Sequence, residues 1–91
     1  MTISKKYLWR DKRDGKTTEI EVYIEMPETK DGRSSCMVRV GKLLETGTNI
    51  VGIDPLQAVL LSVRFVDQLL SSGKGNFEVL ELDGGKYVTH G

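Results

Sequence analysis

Residues 54–72 read DPLQAVLLSVRFVDQLLSS, and this stretch decides how the rest of the 91-residue chain is read. Asp54 is placed to cap a helix by accepting an N–H from its first turn. Pro55 fills the first helical position, where a missing N–H does no harm, and Gln57, three residues past the cap, completes a capping box. Leu56, Val59, Leu60, Val63, Val66 and Leu70 recur at helical spacing, and Ser71-Ser72-Gly73 supplies the stop. The expectation is one helix of about 18 residues, roughly 27 Å long.

Set at 100° intervals, Gln57, Arg64, Gln68 and Ser71 gather within about 60° of one another, and apolar side chains cover most of the remaining circumference. A helix lying on one small sheet needs an apolar stripe a little over 100° wide, and this one is closer to twice that. A second wall is therefore expected beside the flank that carries Leu61, Phe65 and Leu69. Three things can supply it: a C-terminal hairpin, a second copy of the chain, or a different protein. Leaving two or three such side chains in water forgoes about 1.5–3 kcal/mol each, a large loss for a small domain.

Upstream of the helix the periodicity changes to two. Lys5 to Arg10 reads as a strand with Tyr7 and Trp9 on one face, and residues 11–16 form a polar turn with Asp14-Gly15 as the reversing pair. From Thr18 to Met26 the alternation is clean: Ile20, Val22, Ile24 and Met26 face one way, Glu19, Glu21, Tyr23 and Glu25 the other. Pro27 stops this strand, and residues 28–33 read as a polar connection. A third strand, Ser35 to Val40, points Cys36, Val38 and Val40 inward and Met37 and Arg39 outward, with a possible continuation through Gly41 to Leu44. Residues 45–49 read as a turn before a short strand at Ile50-Val51. After the helix, Phe77 to Leu82 is a strand, Asp83-Gly84-Gly85-Lys86 a tight turn and Tyr87 to Thr89 a returning strand. Alternation breaks at Val79-Leu80, so that strand carries a bulge or is covered on both faces. The sum is a single α+β domain over residues 1–91: an antiparallel meander with one long helix packed across it and a C-terminal β-hairpin.

Thirteen basic residues balance thirteen acidic ones, but they fall in blocks. Residues 1–16 carry +4, 17–28 carry −4, 29–44 carry +3 and 45–91 carry −3. The plain expectation is cross-strand pairing of opposite charges. A neutral total removes the field of a generic nucleic-acid or anionic-membrane binder. Lys5, Lys6, Arg10, Lys12, Arg13 and Lys16, interleaved with Tyr7 and Trp9, could still combine phosphate contact with base stacking. The acidic second strand would cancel much of that field, and Trp9 reads as core, so no nucleic-acid partner is expected. No apolar run reaches the length of a membrane span, and the polar start before Tyr7-Leu8-Trp9 lacks a secretory core, so a cytoplasmic protein is expected.

Little points to catalysis, a metal or a cofactor. His90 is the one histidine and lies next to the last residue, where a solvated role is the default. Cys36, the one cysteine, falls on an inward face and reads as a buried structural thiol. The Gly73-Lys74-Gly75 and Asp83-Gly84-Gly85-Lys86 segments follow a helix or join strands, whereas a phosphate cradle leads from a strand into a helix. An enzyme would need a pocket around Glu19, Glu21 or Tyr23. The row Glu19, Glu21, Tyr23, Glu25 and Glu28 is suited instead to a basic protein partner. Together with Leu61 and Phe65 on the helix flank, these are the candidate partner-binding residues.

The segment Gly52-Ile53-Asp54-Pro55-Leu56-Gln57-Ala58, entering an apolar helix after a polar meander, resembles a family of small uncharacterised bacterial domains with a Gly-x-Asp-x-x-Gln-Ala helix entry. The likeness is close over this one element and extends to the rest in layout. Short chains of this appearance are also similar to the immunity proteins of bacterial contact-dependent growth inhibition and polymorphic toxin systems. That resemblance implies a cytoplasmic protein that neutralises a toxin domain, such as a nuclease, by tight binding. The other expectation is a homodimer of unknown role with its helix flank at the subunit interface.

Overall fold

In a computed structural model of the chain, which describes residues 2–72 and 76–87, alternation and turn chemistry build the sheet one hairpin at a time. Strands β1 (Thr2–Asp11) and β2 (Thr17–Glu25) pair antiparallel from Thr2↔Glu25 to Arg10↔Thr17. Their loop is tied by Asp11 accepting from the Arg13 N–H at 2.8 Å and Asp14 accepting from the Lys16 N–H at 2.8 Å, and Gly15 takes φ +72. The segment expected as a connection at 28–33 is itself a hairpin. Strand β3 (Glu28–Lys30) pairs with β4 (Arg33–Val40), and Asp31 and Gly32 both adopt positive φ, as a two-residue type I′ turn requires. Ile24 pairs with Val38 and Glu28 with Ser35, so the β2–β3 side has one residue more than β4 between these pairs. The extra residue is a bulge where Pro27 interrupts the ladder.

Beyond β4 the chain reverses at 41–43, with Lys42 at φ 72, and returns as strand β5 (Leu44–Gly52). This corrects two expectations, a strand running on through Gly41 and a turn at 45–49. Residues 45–49 stay in the strand because β5 absorbs two extra residues between Val38↔Thr48 and Val40↔Leu44. Gly47, at φ +83, sits in that irregularity, where an added Cβ would come within 2.9 Å of the Met37 Sδ.

Helix α1 (Pro55–Ser71) has 17 residues. Asp54 Oδ1 accepts from the Gln57 N–H at 2.8 Å, while Gln57 Oε1 reaches back to the N–H of Ile53 at 2.8 Å. The expected capping grammar is met, with the return contact one residue earlier than in the standard box. The helix crosses the sheet from the end of β5 to strand β6 (Phe77–Leu80), which pairs antiparallel with β1 at Leu8 to Asp11. Across the sheet the order is β6, β1, β2, β4, β5, with β3 sharing the β2 edge of β4. Val79 and Leu80 are both buried, so β6 is covered on both faces. Leu80 forms a bridge with Lys86; of the expected returning strand, residues 88 and 89 lie outside the described residues.

The core joins Tyr7, Ile20, Val22, Ile24, Cys36, Val38 and Val40 of the sheet to Ala58, Val66 and Leu70 of the helix. Ser62, fully buried in the helix, donates to the Ala58 carbonyl at 2.7 Å. The charge blocks pair across strands as expected: basic β1 lies between acidic neighbours, with Lys6 3.5 Å from Glu19, Arg10 3.7 Å from Glu78 and Lys5 3.0 Å from Glu81. One helix about 10 Å wide covers roughly half of five strands spaced about 4.8 Å apart. The helix runs from β5 towards β6, which leaves one corner of its side of the sheet uncovered, and among the described residues no helix lies on the opposite side.

Candidate functional site

Two surfaces result. The first is the open side of the sheet. Alternation along β2 sends Glu19, Glu21, Tyr23 and Glu25 outward, and Glu28 continues the acidic run on β3. The register sets Tyr23 between Ser4 of β1 and Arg39 of β4. The Tyr23 hydroxyl donates to the Glu21 carboxylate. That bond, reinforced by desolvation and the Glu21 charge, holds the phenol above its ordinary pKa, and Arg39 opposes the shift. One shallow depression beside Tyr23 is lined by Thr2, Ser4, Glu25, Met37 and Arg39, another by Glu19, Glu21, Arg39, Lys42 and Glu45. Glu19 leans to Lys6, whereas Glu25 and Glu28 have no ion-pair partner among the described residues. Tyr23 and Arg39, side by side across the β2–β4 ladder, are of residue types enriched at protein interfaces. Arg39 and Met37 were legible as outward residues of their strand; their position beside Tyr23 depends on β4 pairing with β2.

The second surface is a cleft of about 160 Å³ between α1 and the uncovered corner, lined by Ile3, Lys5, Tyr7, Val22, Ile24, Val63 and Val66 among others. Leu56, Leu60 and Val63 follow one line along the helix, which extends the cleft wall towards the helix start. Leu56 is 69% and Leu60 56% exposed. This is where the apolar surplus of the helix lies. On the flank expected to need a second wall, Phe65 and Leu69 pack against the core and Leu61 is half-buried. Leu61 and Phe65 therefore sit on the opposite layer from the acidic row, and the two halves of the candidate set are not brought together.

Next to the cleft residues Tyr7 and Val66, the Tyr87 hydroxyl donates to Asp67 on α1, and the Tyr87 ring meets Tyr7 edge-on at 5.3 Å. Burial foremost, then the Asp67 hydrogen bond, pushes the Tyr87 phenol far above its ordinary pKa, and burial likewise raises Tyr7. This cluster fastens the segment after β6 onto the helix. Its members are too far apart in sequence, 20 positions between Asp67 and Tyr87, for local pattern to reveal.

Cys36 is fully buried, as its inward position implied. Asp83 to Lys86 form a turn, with Gly84 at φ 91 and Asp83 accepting from the Gly85 N–H at 2.8 Å. His90 and the Gly73-Lys74-Gly75 segment lie outside the described residues. The aromatics of the basic first strand turn into the protein: Tyr7 is buried and Trp9 stacks on Phe77 at 4.0 Å, so neither stands as a base-stacking platform. Among the described residues no three His, Cys, Asp or Glu side chains cluster as a metal site, and no helix is long and apolar enough to cross a membrane. Comparison with protein families, curated proteins and solved structures gives no match to this chain.

Proposed function

We propose that this chain is a protein-binding module, an immunity protein that caps a basic surface of a bacterial toxin, such as a nuclease, with the open side of its sheet. The observation that carries the reading is the row of Glu19, Glu21, Tyr23, Glu25 and Glu28 on a sheet face that no helix covers. Carboxylates at alternate positions of a rigid strand present negative charge at a fixed spacing of about 7 Å, which steers a basic partner and sets its register. Tyr23, 38% exposed with Arg39 beside it, supplies the large rigid contact at the centre. Inhibition then follows by occlusion and needs no chemistry from this chain.

The test is calorimetric titration of the purified chain with candidate toxin domains taken from neighbouring genes. Nanomolar binding that weakens with added salt is expected for one of them. Absence of nanomolar binding to every candidate discards the reading. A homodimer is the second reading, favoured by the exposed Ile53 and Leu56 at the helix start. Sedimentation showing a 10.2 kDa species at all concentrations removes it.

A further inference from the structure

Three Asp-Gly dipeptides lie in turns of this chain, and the fold holds two of them and leaves the third loose. At Asp14-Gly15 the carboxylate accepts the Lys16 N–H at 2.8 Å, and the Gly15 N–H donates to the Asp11 carbonyl at 2.8 Å. At Asp83-Gly84 the carboxylate accepts the Gly85 N–H at 2.8 Å, and the Gly84 N–H donates to the Glu81 carbonyl at 2.9 Å. Asp31-Gly32 has neither restraint. Among the described residues the Asp31 carboxylate accepts no hydrogen bond and joins no ion pair, and the Gly32 N–H donates none. Both residues are exposed, and apart from chain neighbours no atom stands within 4 Å of where a Gly32 Cβ would be. They join β4 to β3, whose three residues are all exposed, so this hairpin opens locally at little cost.

The structure assigns Asp31-Gly32 as a site of backbone modification: the Gly32 nitrogen closes on the Asp31 side chain, and the β-linked aspartate that results frees β3 from β4. In the first step a bond forms between the Gly32 nitrogen and Cγ of the protonated Asp31 side chain. The Asp31 hydroxyl leaves as water with the amide hydrogen, giving a five-membered imide. Water then opens the ring. Attack at Cγ restores the original chain, whereas attack at the main-chain carbonyl carbon breaks its bond to the Gly32 nitrogen and leaves the backbone running through the side chain. At the other two dipeptides a carboxylate and an amide must each give up a hydrogen bond before closure, which slows them roughly tenfold. A β-linked residue adds one methylene to a two-residue turn whose type I′ form rests on positive φ at both positions. The Glu28↔Ser35 pairing and the 2.9 Å contact between the Thr29 and Ser34 hydroxyls are then lost. No partner takes part, so this site stands or fails apart from the toxin-binding reading.

The test is to hold the folded full chain, and a second sample unfolded in urea, for weeks in warm, mildly acidic buffer. Cleavage after glutamate places the three dipeptides on separate peptides, 1–19, 29–45 and 82–91. Chromatography with mass spectrometry then resolves each imide, lighter by one water, and each β-linked isomer, equal in mass to its parent. In the folded chain peptide 29–45 should convert roughly tenfold faster than the other two. In urea, where the restraints are gone, the three rates should converge. The purified β-linked isomer should lose the NMR contacts between Glu28 and Ser35 and keep those between Tyr23 and Arg39. Equal rates at the three sites in the folded chain, or a slower rate in peptide 29–45, overturn the proposal. So does an isomer that retains the contacts between Glu28 and Ser35.

Discussion

A Cβ placed on Gly52 would stand 2.6 Å from the backbone nitrogen of Ala58, so the end of β5 and the first turn of α1 meet with no room for a side chain. The obstacle is backbone, which cannot rotate away. Gly52→Ala should therefore destabilise the fold by about 1–3 kcal/mol, the range for overpacked sites. Urea unfolding should show a lower midpoint at an unchanged slope. An unaltered midpoint would mean that the helix does not start against β5.

The helix entry is fixed by the reciprocal bonds of Asp54 and Gln57. Asp54→Ala should lower stability by about 1 kcal/mol, and Asp54→Asn by much less, because an amide oxygen still accepts the N–H. Equal losses for the two would show that charge rather than the hydrogen bond matters.

The Asp67–Tyr87 contact predicts alkaline sensitivity. Folding raises the Tyr87 pKa, so its contribution is fully present below the unfolded phenol value of about 10 and declines as pH rises above it. Tyr7, raised mainly by burial, acts in the same direction. The melting temperature should fall above about pH 10. Tyr87→Phe should cost about 1–3 kcal/mol at neutral pH, from the hydrogen bond lost by a carboxylate, and should flatten the alkaline fall. A parent protein whose melting temperature is level to pH 11 would contradict this.

Burial separates two leucine-rich flanks that look alike in sequence. Leu60→Ser should leave stability within about 0.5 kcal/mol, since Leu60 is largely in water, whereas Phe65→Ala should remove about 2 kcal/mol or more. Thermal unfolding of the two variants decides, and the reverse order would place the helix the other way round on the sheet.

What the sequence revealed follows from range. Asp54-Pro55 and Gln57 announce the helix start because capping is a matter of three or four adjacent residues, and Thr18 to Met26 shows its two faces because one residue alternates with the next. The Glu row on the open side was legible for the same reason. Residues 45–49 were not: Thr46-Gly47-Thr48-Asn49 has the composition of a turn, and only the ladder with β4 keeps it extended around Gly47. The wet flank of the helix was also hidden. A helical wheel gives the width of the apolar arc, but the path of α1 across the sheet determines that Leu69 packs inward while Leu56 stays out. Tyr87 and Asp67 meet only once that path is set.

The open side of the sheet, proposed above as the toxin-binding surface, is open to direct test by substitution. The direct measurement is the dissociation constant of a toxin domain for the parent chain, for Tyr23→Ala combined with Glu25→Lys, and for Ile3→Glu combined with Leu60→Glu. At least a hundredfold loss is expected for the first pair at an unchanged melting temperature, and parent-like binding for the second. Parent-like affinity in the Tyr23 and Glu25 pair would rule out the open side of the sheet as the binding surface.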